Sequence, residues 1–153
     1  MKKISSIILS LFVVIVLSGC QKSQILSCEA SNNSDGIETT QEYEFKFVGE
    51  KLSNAEIKMI MDFEDETNYD TYAEMLDSSF AEQEDFKNVE GLTIDTKSKK
   101  PVYTVTMTMD FDKLKDNSKL DELGLNISED DLKLTIDELK EQIEDSGLTC
   151  KIK

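Results

Sequence analysis

The stretch Ile37–Phe63, IETTQEYEFKFVGEKLSNAEIKMIMDF, decides the fold. Its first arm alternates. Ile37, Thr39, Gln41, Tyr43, Phe45 and Phe47 fall on one side, and Glu38, Thr40, Glu42, Glu44 and Lys46 on the other. A period of two, with aromatic residues gathered on one side, is the pattern of a half-buried strand. Gly49-Glu50-Lys51 turns the chain. Leu52–Phe63 then returns with Ala55, Ile57, Met59, Met61 and Phe63 on one face. The spacing predicts a long antiparallel hairpin, dry on one side and wet on the other.

Working outward, Ile25–Ser31 predicts a short strand, and Asn32–Gly36 has the composition of a turn. Downstream, Tyr69, Tyr72, Ala73, Leu76 and Phe80 recur at helical spacing and predict a helix from about Asn68 to Phe86. Leu92–Thr96 and Val102–Phe111 form a second hairpin around Lys97–Pro101, with Tyr103, Val105, Met107, Met109 and Phe111 on one face. Asp112–Leu123 is a candidate short helix ending at Gly124. Ser128 is placed to cap a last helix striped by Leu132, Ile136, Leu139 and Ile143 and stopped by Gly147, and Leu148–Ile152 closes as a strand. Lys58–Glu64 resembles Thr106–Asp112, 48 positions later. That is either a duplicated hairpin-and-helix unit or two similar strands meeting similar helices. The expected fold is α+β: a single domain, with an antiparallel β-sheet built from hairpins and two to three helices packed on one face.

The first residues read as an address. Lys2 and Lys3 precede the apolar run Ile7–Leu17, and Leu17-Ser18-Gly19-Cys20 follows. This is a secretory signal, too short for a membrane span. Its ending resembles a bacterial lipobox. In such signals the Cys, here Cys20, is acylated with diacylglycerol and becomes the first residue. About 0.8 kcal/mol per buried CH2 makes two or more palmitate-like chains a durable anchor. The expected division is 1–19 signal peptide, 20–24 lipidated tether and 25–153 domain. The expected place is the cell membrane, lipid-anchored and facing outside the cytoplasm.

Composition excludes much. Thirty-two acids face 17 lysines, with no Arg and no His. Loss of Lys2 and Lys3 takes the formal charge from −15 to −17. Such a surface does not bind nucleic acid, which requires a basic face. Without His, neither His-dependent catalysis nor His metal ligation is available. No phosphate loop or zinc signature is present. The reading is therefore not an enzyme, with no catalytic residue and no cofactor.

Four features remain. Cys28 and Cys150 are an even pair in an oxidising compartment and read as a disulfide, or else as two free thiols. Asp62, Glu64, Glu66 and Asp70 form the densest oxygen cluster. The positions an EF-hand would give to Gly and Glu hold Thr67 and Ala73, so the choice lies between a weak calcium site and an acidic helix start. Met59, Met61, Met107 and Met109 share strand faces with apolar residues; they are core, or a soft-metal or hydrophobic-ligand face. Glu38, Glu42 and Glu44 make an exposed acidic strand face that suits a cationic protein or peptide.

A lipobox, a Cys-bearing first strand, a long polar/aromatic hairpin, a helix, a second hairpin and a C-terminal helix together resemble the YehR-like small bacterial lipoproteins. The resemblance spans Ile25 to about Ile152 and includes Asp35-Gly36-Ile37 and Phe47-Val48-Gly49-Glu50-Lys51. It implies a one-domain, envelope-anchored α+β protein without known catalytic residues. The expected function is a monomeric, lipid-anchored binding module. The alternative is a small hydrophobic-ligand or metal carrier using the Met/Tyr face.

Overall fold

The structure is a computed structural model that describes residues 22–82, 89–114 and 131–153. Its strands are β1 (Ser23–Ser34), β2 (Ile37–Val48), β3 (Lys51–Phe63), β4 (Leu92–Lys99), β5 (Val102–Asp110) and β6 (Thr149–Ile152). Its helices are α1 (Glu66–Glu82) and α2 (Ile136–Asp145), the latter preceded by a 3-10 turn at Asp131–Lys133. The six strands form one sheet in the order β4-β5-β3-β2-β1-β6, with every neighbouring pair antiparallel.

The hairpin read from alternation is β2–β3, and β2 has the predicted bounds. Ser53 is an extra residue in β3: Lys46 pairs with Asn54 and Phe47 with Leu52. This bulge turns Leu52 inward, although it is out of phase with Ala55, and Leu52 is buried. The first turn is tighter than its composition predicts. β1 runs through Asn32 and Asn33 to Ser34, leaving Asp35-Gly36 as a two-residue turn with φ of 55° and 74°. Two successive positive φ values suit Asp-Gly in a hairpin. β4 likewise continues through Lys97–Lys99, so its turn is Lys100-Pro101.

The N-terminal boundary also moves. Ser23 and Gln24 belong to β1, and the Lys22 carbonyl accepts from Gly49 N–H at 3.1 Å. Ser23 and Gln24, expected in the tether, are therefore strand residues. The last helix begins at Ile136, capped by Thr135 in a reciprocal box with Glu138, rather than at Ser128. Ser128 and most of the candidate helix Asp112–Leu123 lie outside the described residues, as does Cys20.

Both described helices cover the same face. Phe63, Tyr69, Ala73 and Tyr103 form one buried cluster under α1. Asp65 starts that helix by accepting from Thr67 N–H at 2.7 Å, which holds its carboxyl below the usual range. Leu26, Cys28 and Cys150 form a second cluster, against Ile136, Leu139 and Ile143 of α2. Ala55, Val89, Leu92 and Met109 form a third. The repeated segments are neighbours: Lys58 pairs with Thr106, its equivalent 48 positions on. Their hairpins differ, since β2–β3 carries a bulge and β4–β5 does not.

Candidate functional site

The other side of the sheet carries no helix among the described residues. Side chains there alternate with the core positions, so register alone assembles them. One cross-strand row reads Thr149–Glu29–Glu42–Lys58–Thr106–Asp95. The next reads Lys151–Ser27–Glu44–Glu56–Thr108–Thr93. None of these residues is buried. This face holds a depression of about 430 Å3, with Ser27, Glu29, Glu42, Glu44, Glu56 and Lys58 among its lining.

The electrostatics of the two rows are unbalanced. Glu29 lies directly opposite Glu42, and Glu44 directly opposite Glu56. Like charges in that position destabilise a sheet, each pair on the order of 0.2–1 kcal/mol. Lys58 relieves Glu42 at 2.9 Å, and Lys153 relieves Glu44 at 3.4 Å, with a Ser27 hydroxyl donating to the same Glu44 oxygen at 3.1 Å. Glu29 and Glu56 have no cationic partner among the described residues. The edge strands differ: β4 carries Lys97 and Lys99, and β6 carries Lys151 and is followed by Lys153. Lysines on short edges discourage strand addition by another chain.

Of the predicted acidic face, Glu42 and Glu44 line this depression, while Glu38 lies further along β2 opposite Asp62. Glu29, Glu56, Lys58 and Lys153 were not legible as members, because only pairing between distant segments brings them in.

The other candidates are placed as follows. Cys28 and Cys150 are joined by a disulfide, with Cα atoms 4.1 Å apart. Ile25 and Lys153 exchange both backbone hydrogen bonds, so alternation puts Cys28 and Cys150 at a non-hydrogen-bonded site, where facing side chains come closest. The cluster Asp62, Glu64, Glu66, Asp70 is not gathered into one site. Glu66 and Asp70 hold Lys100 at 3.4 and 2.9 Å, while Asp62 lies on the helix-free sheet face. Their hydrogen bonds and charges raise the Lys100 ammonium above its ordinary value, Asp70 foremost. Among the described residues, no three His, Cys, Asp or Glu side chains are grouped to hold a metal. The methionines do share one face of two adjacent strands, but each faces an apolar or aromatic residue across the ladder: Met59 opposite Val105, Met61 opposite Tyr103, Met107 opposite Ile57 and Met109 opposite Ala55. Met109 is 2% exposed and the other three are half-buried.

Two solved structures are similar over most of the chain. One is the NMR structure of a protein from Streptococcus pneumoniae TIGR4, at TM-score 0.58 and 19% identity, covering 85% of this chain and 86% of that one. The other is the NMR structure of the Escherichia coli YehR protein, at TM-score 0.54 and 20% identity, covering 81% of this chain and 88% of that one. No family model and no curated protein matches the sequence. Identities this low speak for the fold alone, and the fold is YehR-like, as the order of elements predicts.

Proposed function

We propose that the chain is a bacterial envelope lipoprotein, anchored through an acylated Cys20. Its helix-free sheet face acts as a non-catalytic docking surface for a cationic peptide or protein. One observation carries the second part: two pairs of glutamates are set directly opposite each other on a face that no described element covers. A sheet under selection for stability alone would alternate the signs there. Four carboxylates in two adjacent rows present acceptors about 5 Å apart across strands and about 7 Å apart along them. Lysine or arginine side chains at every second position of an extended partner match that spacing. Such a contact is electrostatic, so it weakens steeply with salt.

Crosslinking between carboxylates and amines in whole cells, read by mass spectrometry, tests the docking surface. Links from Glu29, Glu42, Glu44 or Glu56 to lysines of one partner are expected. Links spread evenly over the acids of the chain would contradict it. The anchor is tested separately. Cys20→Ala should release the protein to the medium or leave uncleaved precursor, and unchanged membrane retention would remove the lipobox reading.

A further inference from the structure

The strand directions give the sheet two unlike ends, and we infer that one of them lies against anionic lipid headgroups. That end gathers the start of β1, the Gly49-Glu50 turn, the last residues of β6 and the segment after β5. Gly49 N–H donates to the Lys22 carbonyl at 3.1 Å, Ile25 and Lys153 exchange hydrogen bonds of 3.2 and 2.8 Å, and Phe111 N–H donates to the Ser53 carbonyl at 3.0 Å. Lys22, Lys46, Lys51, Lys113, Lys151 and Lys153 all lie within a few residues of it. Lys51, Lys113 and Lys153 hold Asp112, Asp110 and Glu44. Lys22, Lys46 and Lys151 are exposed and have no carboxylate partner among the described residues. Glu50, Glu56 and Glu90 are the other acids there among the described residues.

The opposite end is acidic. The Asp35-Gly36 turn, the end of β3 and the start of α1 meet there, with Glu64 N–H donating to the Gly36 carbonyl at 2.9 Å. Asp35, Glu38, Asp62, Glu64 and Asp65 cluster around them, Lys100 is occupied by Glu66 and Asp70, and Lys97 and Lys99 of β4 are the other lysines there, fewer than the acids.

Length decides which end meets the membrane. Resting on the lipobox reading, Cys20 sits at the lipid surface, and Ser23 already belongs to β1. Three residues reach at most about 10 Å. The lysine end is therefore held roughly one Debye length from the headgroups, where its charges act. β1 has 12 residues, which carries the acidic end about 40 Å further out, beyond screening. A chain of net charge −17 once Lys2 and Lys3 are lost thus turns its more acidic end away from an anionic surface and its lysine-rich end toward it. The docking face then stands upright, with its glutamates reachable from the side.

The test tethers the chain from Cys20 onward, which contains every described element, through the Cys20 thiol to a maleimide-headgroup lipid. The vesicles are phosphatidylglycerol with phosphatidylcholine. Lysine acetylation by a water-soluble reagent is then compared with that of the untethered protein, residue by residue. Lys22, Lys46, Lys51 and Lys113 should label several-fold more slowly on the vesicles, while Lys99 and Lys100 should not change. Lys22→Gln/Lys46→Gln/Lys151→Gln, which alters only exposed unpaired side chains, should erase that protection while its circular dichroism stays that of the parent. Equal labelling at the two ends, protection of Lys99 and Lys100 instead, or full protection in the triple variant would each overturn the orientation. Because the chemical tether replaces cellular acylation, such a failure leaves the lipobox reading intact. Failure of Cys20→Ala to release the protein would strike that reading, and with it the anchor from which the orientation is counted.

Discussion

The two flanks of the sheet are held by different means. At one flank, β6 has only four residues, and the helix packed beside it, α2, has ten, none fully buried. A helix of that length is marginal on its own. At the other, β4 has eight residues paired along its whole length to β5, under a 17-residue helix. Here Phe63 meets Tyr69 edge-on at 5.6 Å, Tyr72 lies at the same distance, and Tyr103 is wholly buried. The long flank is secured by rings and ladder, and the short flank by a covalent bond. The disulfide stands where local contacts are fewest.

Removing a ring should therefore hurt one flank and removing the bond the other. Phe63→Ala takes away a side chain 2% exposed. It should cost about 3–5 kcal/mol, measured by urea unfolding. Hydrogen exchange should quicken in α1 and β5 more than in α2. Next in size, Cys28→Ala/Cys150→Ala opens a loop with a sequence separation of 122 residues. A loss of about 2–5 kcal/mol is expected. Exchange should then quicken in α2 and β6 while β3 and β5 stay protected. Should either variant loosen both flanks equally, the sheet is one cooperative unit and the contrast fails.

A smaller effect sharpens the aromatic side. Tyr103 donates to Asp77 at 2.6 Å, and burial first, then Asp77, pushes its phenol up to about 12 from 10.0. The folded state therefore holds a proton that the unfolded chain has lost. This contribution is complete below pH 10 and is lost as the pH rises from 10 through 12. Of the four tyrosines, one should ionise late in an ultraviolet titration, and Tyr103→Phe should remove that step and flatten stability over the same range. A titration in which all the tyrosines ionise together near 10 would contradict this.

Local pattern made much of the fold legible. Alternation fixed both arms of β2–β3, and helical spacing fixed the buried side of α1. Composition misled where pairing won. Asn32, Asn33 and Ser34 are turn formers, yet they extend β1, because β2 continues opposite them and Ser31 and Thr40 hydrogen-bond across at 3.1 Å. The cap of α2 lies at Thr135 and not at Ser128, and its signal is present in the sequence. Thr135 and Glu138 have the spacing of a capping box, and their bonds also hold the Glu138 carboxyl below its usual range. Of the proposed docking surface, Glu42 and Glu44 were legible from alternation within one strand. Glu29, Glu56 and Lys153 were not, since register between strands far apart in sequence leaves no local trace.

The most direct test of the account sets stability against binding on those glutamates. Glu29→Gln/Glu56→Gln removes the unrelieved member of each opposed pair. The account predicts a gain of a few tenths to about 1 kcal/mol in unfolding free energy. It also predicts, in the same protein, weaker binding of an extended peptide with lysines at alternate positions. A variant that loses stability, or that binds the peptide as tightly as the parent, would contradict it.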